Sequence, residues 1–266
     1  MLKNPGKQAK QLTLLLTILL LATLPQTVDA RVKVNPRKIT FELGSDGSYS
    51  DEFEIVNNTG AEIAFSLRLS DWDMGPDGRV SLKPVGSTDR SLGRWISGYP
   101  DRVTVPPKES RAISFAVDSP GGEDKGRWGA FLVRPLGQEN EVKEGLNVGI
   151  KVQYAVTLYG KPVNQKKSGR ITSFRLQQGE NNLHARFSFH NTSGSFLRPE
   201  GKFVLTNPDG AVAIKKPVEN FLVLPGHRRN NSLQLDKPPA GDYRATLVLD
   251  YGVPERVGAI RRLQVK

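Results

Sequence analysis

The stretch Leu146-Asn147-Val148-Gly149-Ile150-Lys151-Val152-Gln153-Tyr154-Ala155-Val156-Thr157-Leu158 places an apolar side chain at every second position, with mostly polar or small residues between. Strict period-two alternation predicts a β-strand with one apolar and one wet face. Strands usually run about 5–6 residues, and this one would be roughly twice that length. One small domain has difficulty covering so long an apolar face, so part of it is expected to be left for another purpose. An exposed apolar edge strand invites aggregation, and the same geometry lets a protein complete a partner's sheet by strand addition.

The rest of the chain has no helical period of useful length after residue 30. Short alternating runs lie between glycine- and proline-rich turns, as in Lys38 to Leu43, Phe53 to Val56, Ala64 to Leu69, Ala112 to Val117 and Ala130 to Val133. That pattern predicts an all-β protein built of immunoglobulin-like sandwiches. An internal repeat sets the number at two. Phe53-Glu54-Ile55-Val56-Asn57-Asn58-Thr59-Gly60 matches Phe187-Ser188-Phe189-His190-Asn191-Thr192-Ser193-Gly194. Val105 and Pro107, followed by Ser114, Phe115, Val117 and Pro120, match Val223 and Pro225, then Ser232, Leu233, Leu235 and Pro238. A third match sets Gly126, Trp128, Ala130, Leu132 and Val133 against Gly241, Tyr243, Ala245, Leu247 and Val248. The offsets shrink along the chain, so the first copy carries extra residues, mainly between positions 70 and 100. Two sandwich domains are therefore expected at 31–160 and 164–266, joined through Gly160-Lys161-Pro162-Val163-Asn164 at a restricted angle. In each domain an Asn/Thr/Gly corner turns the chain. A Gly-x-aromatic start, Trp128 or Tyr243, is expected to place a ring in the core.

Residues 1–30 read as a signal peptide. Lys3, Lys7 and Lys10 precede the apolar run Leu12 to Leu24, and Val28-Asp29-Ala30 offers small residues before a cut at Arg31. The run falls short of the roughly 20 residues that span a bilayer. The expected product is an exported, periplasmic or envelope protein with no membrane span after cleavage. It has no cysteine, so disulfides, redox thiols and thiolate metal sites are excluded. The precursor carries a net +11, of which +9 remains beyond residue 30. In an exported protein that excess suggests an acidic envelope component or protein partner, and location argues against nucleic acid.

Catalytic chemistry is sparse. The three histidines, His184, His190 and His227, all lie in the second repeat, and no metalloprotease helix, nucleophile elbow or phosphate-cradling glycine loop is present. No catalytic residue, cofactor or metal is predicted. Asp71-Trp72-Asp73-Met74-Gly75-Pro76-Asp77-Gly78 resembles a calcium loop at a glance, but its ligand spacing fails and the distal glutamate is missing; a hairpin turn accounts for it. Trp72 and Trp95 are expected to pack internally, and the Asn-x-Ser/Thr patterns at Asn57, Asn191 and Asn230 or Asn231 to serve turns.

Taken together, the two-sandwich plan, the export signal and the long strand resemble the PapD-like pilus-type periplasmic chaperones. Asn35-Pro36-Arg37-Lys38-Ile39-Thr40-Phe41 looks like the first strand of that family, and Pro135 through Pro162 like its loop, donor strand and domain join. The resemblance implies a non-enzymatic chaperone that binds exported subunits with an incomplete β-sandwich, filling their groove with Val148, Ile150 and Val152. It also implies two basic residues in the cleft between domains that hold the client's terminal carboxylate. Lys38 fits the first. The second should fall near Thr157, which is not basic, and Lys151 and Lys161 are the nearest substitutes. A runner-up resemblance is to two-module immunoglobulin-like surface proteins, which implies binding of acidic wall polymer or a protein partner.

Overall fold

The computed structural model describes residues 31–44, 48–120, 124–137, 152–164 and 166–266; the predicted signal peptide at 1–30 lies outside them. The described chain forms two β-sandwiches in tandem. In the first, β1 (Val32–Asn35), β3 (Ser48–Asn57), β8 (Ser110–Asp118) and β6 (Ile96–Ser97) make one sheet in the order β1-β3-β8-β6. The facing sheet runs β2 (Lys38–Leu43), β10 (Tyr154–Pro162), β9 (Arg127–Pro135), β4 (Ile63–Met74), β5 (Val80–Lys83), and β7 (Arg102–Val105) also pairs with β4. The chain changes sheets at the cis Asn35–Pro36 bond, so β1 joins one layer and β2 the other, a common device at sandwich corners. Alternate residues from both layers close the core, with Val34, Phe53, Ile55, Phe65, Leu67, Phe131, Val133, Val156 and Leu158 nearly or wholly inaccessible. No disulfide supports this arrangement, so burial of these side chains, at about 1.5–3 kcal/mol each, is the dominant favourable contribution.

The second sandwich sets the sheet β11 (Gly169–Gln178), β12 (Asn182–Asn191), β15 (Arg228–Asp236) against β14 (Val212–Val218), β13 (Glu200–Thr206), β16 (Gly241–Asp250), β17 (Val257–Val265). Its core holds Phe174, Phe187, Phe189, Phe203, Leu205, Leu247 and Leu249.

The sequence repeat has a structural counterpart in two buried asparagines. Asn57 Nδ2 donates to the carbonyls of Ala61, Val105 and Pro106 at 2.8, 3.0 and 3.0 Å, and its Oδ1 accepts from the N–H and hydroxyl of Thr59. Asn191 Nδ2 donates to the carbonyls of Ser195, Val223 and Leu224 at 2.7, 3.0 and 3.1 Å, and its Oδ1 accepts from the N–H and hydroxyl of Ser193. In each sandwich one amide thus ties the corner after a strand to the turn that begins another. Backbone carbonyls turned inward at such corners need a donor.

The third repeat match is corrected by strand phase. Tyr243, Ala245 and Leu247 face the core of the second sandwich. Trp128, Ala130 and Leu132 face the other way, away from Phe131 and Val133, and join Trp72, Tyr159, Leu222, Leu224 and Phe196 in a separate apolar cluster between the sandwiches. A one-residue slip in a strand exchanges its faces, so the two aromatic starts are not equivalent. Trp128 is buried at the junction, where its indole N–H donates to the Trp72 carbonyl at 2.7 Å and the Trp72 indole donates to the Gly129 carbonyl at 3.2 Å. Trp95 is half-buried under the Arg127 guanidinium, 4.2 Å from the ring centroid.

The surplus residues predicted between 70 and 100 supply the β4–β5 hairpin and the loop and short helical turn that follow. The hairpin tip reaches the second sandwich: Asn230 N donates to the Pro76 carbonyl at 2.7 Å, and His227 Nε2 lies 2.9 Å from Asp73 Oδ1. Gly126 N donates to the Gly194 carbonyl at 2.7 Å on the same side of the junction. The angle between sandwiches is therefore set by an apolar seam plus a polar clasp.

Candidate functional site

The alternating stretch at residues 146–158 is described only from Val152 onward. Its strand is β10, which begins at Tyr154, not at Val152, and continues beyond Leu158 to Pro162 because β2 pairs with it that far. Val148 and Ile150 lie outside the described residues. Val152 is described; it precedes the strand and is 46% exposed. Where β10 is formed, the predicted phase holds: Val156 and Leu158 are wholly buried and Tyr154 is half-buried against the same core.

The two flanks of β10 are unequal. On one side β9 pairs antiparallel from Tyr154 to Gly160. On the other, β2 pairs parallel only from Thr157 to Pro162, starting opposite Lys38. From Tyr154 to Val156, β10 therefore has one sheet neighbour, β9, among the described residues. A strand edge without a neighbour presents unpaired N–H and C=O groups. The residues that set this up are local: Pro36, without an N–H, stands where β1 leaves one layer, and Arg37 turns the chain so that its carbonyl accepts from Thr157 N at 2.9 Å.

Along the β2–β10 pair, a cleft of about 670 Å³ opens between the sandwiches. Lys38, Thr40, Tyr159 and Lys161 line it from the first, and Lys167, Phe196, Arg198, Glu200 and Asp250 are among its walls from the second. Lys38 stands directly opposite Thr157 in the β2–β10 register, and Thr157 is not among the residues lining the cleft. Lys161 reaches the same cleft two positions on from Tyr159. Arg198 and Lys167 come from the second sandwich and carry no signal in the linear sequence, since only the junction brings them near Lys38. Lys38, Lys161 and Arg198 form no ion pair with a described carboxylate, whereas Lys167 donates to the Gly252 carbonyl at 3.4 Å and Asp250 pairs with Arg256 at 3.4 Å. Burial pushes the Tyr159 phenol above its ordinary value; Thr157 and Arg198 act in the other direction without cancelling it. A cleft with several unneutralised cations and a neutral phenol is suited to an anionic group.

The aspartate-rich loop does other work. Asp71 is inaccessible and accepts from Gly86 N at 2.9 Å and Ser91 Oγ at 2.7 Å, ordering the segment after β5. Asp77 caps its own turn by accepting from Arg79 N at 3.0 Å. Gly78, at φ +89, occupies the left-handed turn position that favours glycine. Asp73 sits at the clasp: burial raises its pKa, but the Met74 N–H, His227 and Lys83 together hold it below the ordinary carboxylate value. The three aspartates thus diverge, and no group of three His, Cys, Asp or Glu is arranged to hold a metal among the described residues. No helix among them is long and apolar enough to cross a membrane.

No protein-family model matches the chain, and a search of curated proteins finds no match. Solved structures do match. The class 5 fimbriae chaperone CfaA aligns with a TM-score of 0.49 at 11% identity, covering 88% of this chain and 99% of its own. A chain from the chaperone–tip adhesin complex of CFA/I fimbriae biogenesis aligns with 0.49 at 12% identity, covering 88% and 98%. A chain from the CsuC–CsuE chaperone–tip subunit complex of archaic Csu pili of Acinetobacter baumannii aligns with 0.48 at 14%, covering 88% and 98%. All three TM-scores lie below 0.5. Further matches that cover 86–88% of this chain, at 10–16% identity, are also chaperone structures, among them the Pseudomonas aeruginosa CupB2 chaperone and the E. coli chaperone DraB.

Proposed function

We propose that this protein is a non-enzymatic, chaperone-like factor of the periplasm that binds exported subunits by lending them the edge of its first sandwich. The observation that supports this reading is that β10 pairs on one side alone from Tyr154 to Val156 among the described residues. Upstream of that point the apolar phase continues through Val152, Ile150 and Val148. A client lacking one strand would find main-chain hydrogen-bonding groups on this edge and apolar side chains at every second position, the two components of strand addition. Each of Val148, Ile150 and Val152 buried in a client's groove contributes about 1.5–3 kcal/mol. The client's terminal carboxylate would enter the cleft beside Lys38, with Lys161 or Arg198 supplying the second cation that Thr157 does not.

The test is capture of a purified subunit lacking its last strand by the chain from residue 31 onward. Ile150→Asp removes one anchor and places a carboxylate in an apolar pocket, so affinity should fall about 100-fold or more, equivalent to roughly 3 kcal/mol. Circular dichroism and the unfolding midpoint should stay unchanged. Lys38→Ala combined with Arg198→Ala should weaken capture of a subunit with a free C-terminus and leave a C-terminally amidated one almost unaffected. Undiminished capture by the Ile150→Asp variant refutes the strand-lending reading.

A further inference from the structure

The net positive charge beyond residue 30 is confined to one module. Residues 31–163 carry 18 Lys and Arg against 18 Asp and Glu, whereas residues 164–266 carry 17 against 8. The whole excess of +9 beyond residue 30 therefore belongs to the second sandwich. A large part of it sits on one flat surface, the outer face of the sheet β11-β12-β15.

Pairing registers place the side chains of that face in four rows. Arg170, His190 and Arg228 form the first; Ser173, Ser188 and Asn230 the second; Arg175, Arg186 and Ser232 the third; Gln177, His184 and Gln234 the fourth. Within these rows there is no Asp or Glu and no aliphatic, Phe, Tyr or Trp side chain; Asp236 stands opposite Asn182 one row further on. The opposite sides of the same strands hold Phe174, Phe187, Phe189 and Leu235, so the face is fixed by core packing. Arg175 lies directly across from Arg186, and like charges in that position repel. The Nδ1 of His190 is buried with no hydrogen-bond partner among the described residues. Between the two arginine rows, Ser173 Oγ donates to Ser188 Oγ at 3.0 Å and Ser188 Oγ to Asn230 Oδ1 at 2.6 Å, a strip of hydroxyl and amide groups.

We infer that this face is a binding surface for a linear acidic polysaccharide of the cell envelope. The inference is independent of strand lending, which uses the other sandwich. Four arginines without acidic neighbours in their rows supply charge complementarity, and mutual repulsion between Arg175 and Arg186 is relieved by an anion between them. The neutral serine, asparagine and glutamine side chains suit a hydroxyl-rich ligand. Lacking apolar side chains, the face has neither the apolar centre of a protein interface nor the inserting groups of a membrane-surface element. Lacking Phe, Tyr and Trp, it offers no stacking platform for nucleic-acid bases. The two arginine rows are two pleat repeats apart, about 13 Å, so a chain molecule can touch both and a monosaccharide cannot.

The chain from residue 31 onward should be titrated into fluorescently labelled polygalacturonate oligomers and followed by anisotropy at several salt concentrations. Binding is expected to be measurable at 0.15 M salt, to weaken with added salt, and to be at least tenfold weaker for galacturonic acid monomer in competition. Arg175→Ser with Arg186→Ser, and separately Arg170→Ser with Arg228→Ser, should each lower affinity at least tenfold. Lys202→Ser with Arg262→Ser removes two exposed cations from the other sheet and should change affinity less than twofold. The Arg175/Arg186 double variant should unfold at no lower a temperature than the parent, which separates lost binding from lost structure. Equal losses in the face and control variants refute the inference, as does tighter binding to phosphatidylglycerol vesicles or polyglutamate than to the polysaccharide. Capture of subunits by the face variants should remain normal; its loss would count against the separation of the two surfaces.

Discussion

Replacing Asn191 by alanine should cost more stability than replacing Asn57, although the two residues make the same set of hydrogen bonds. Both side chains are inaccessible. The three carbonyls served by Asn191 are in buried bonds. Of those served by Asn57, only the bond to Val105 is buried, while those to Ala61 and Pro106 are partly exposed, and water can replace the lost donor there. The Val223 and Leu224 carbonyls still accept from Leu197 N and His227 N, so the loss is that of the amide's own bonds, about 1.4 kcal/mol for a buried one and about 0.8 where water can replace the donor. Asn57→Ala should therefore cost about 3 kcal/mol and Asn191→Ala about 4. With a urea dependence of about 2 kcal/mol per molar, the midpoints should fall by about 1.5 and 2 M. All three tryptophans, Trp72, Trp95 and Trp128, lie in the first sandwich or its junction wall. Their fluorescence should follow Asn57→Ala, while far-ultraviolet circular dichroism should report Asn191→Ala more fully. Asn→Asp at either position should be worse than alanine, because a carboxylate would face three carbonyl oxygens with no proton to donate. Midpoint shifts below about 0.5 M for both alanine variants, or a larger shift for Asn57, would refute the assignment of these amides as corner ties.

Two further outcomes concern the junction. The Asp73 carboxyl is held below its ordinary value, so the stability it contributes is present above the unfolded-state pKa and is lost as pH falls through the lower folded value. The clasp between the β4–β5 hairpin and His227 should hold near neutral pH and loosen below about pH 4, and Asp73→Asn should flatten the fall in urea midpoint between pH 6 and pH 3. Trp128→Ala removes a buried indole and its bond to the Trp72 carbonyl, at a cost of about 3–5 kcal/mol; calorimetry should then resolve two transitions where the parent shows one, and a single transition in the variant would contradict the junction's role in coupling the sandwiches.

Strand phase was the legible part of this chain. The alternation from Tyr154 to Leu158 places Val156 and Leu158 in the core, and the Asn57/Asn191 repeat identifies the two corners. Length was less legible, because how far a strand extends depends on its neighbours: β2 carries β10 beyond Leu158 to Pro162, and nothing in residues 159–162 announces a partner that begins at Lys38. The Trp128 match misled for a related reason, since a buried aromatic can face a core or a second domain and the local pattern is the same. Lys38 stands out in the sequence only through the resemblance of residues 35–41 to the first strand of the chaperone family. Arg198 and Lys167 carry no such mark, because their nearness to Lys38 exists only once Leu224 and Phe196 have closed the seam against Tyr159.

The parallel pairing of β2 with β10 bears on how the protein matures. Thr157 Oγ1 donates to the Arg37 carbonyl across 120 positions of chain, so the larger layer of the first module cannot be finished until nearly all of that module is available. The wall formed by Trp72, Trp128 and Tyr159 stays bare still longer, until residues near Leu224 arrive to cover it. Contacts of such long range slow folding and prolong the exposure of apolar surface. A protein whose proposed task is to shelter unfinished neighbours would thus pass through an interval in which it needs shelter itself.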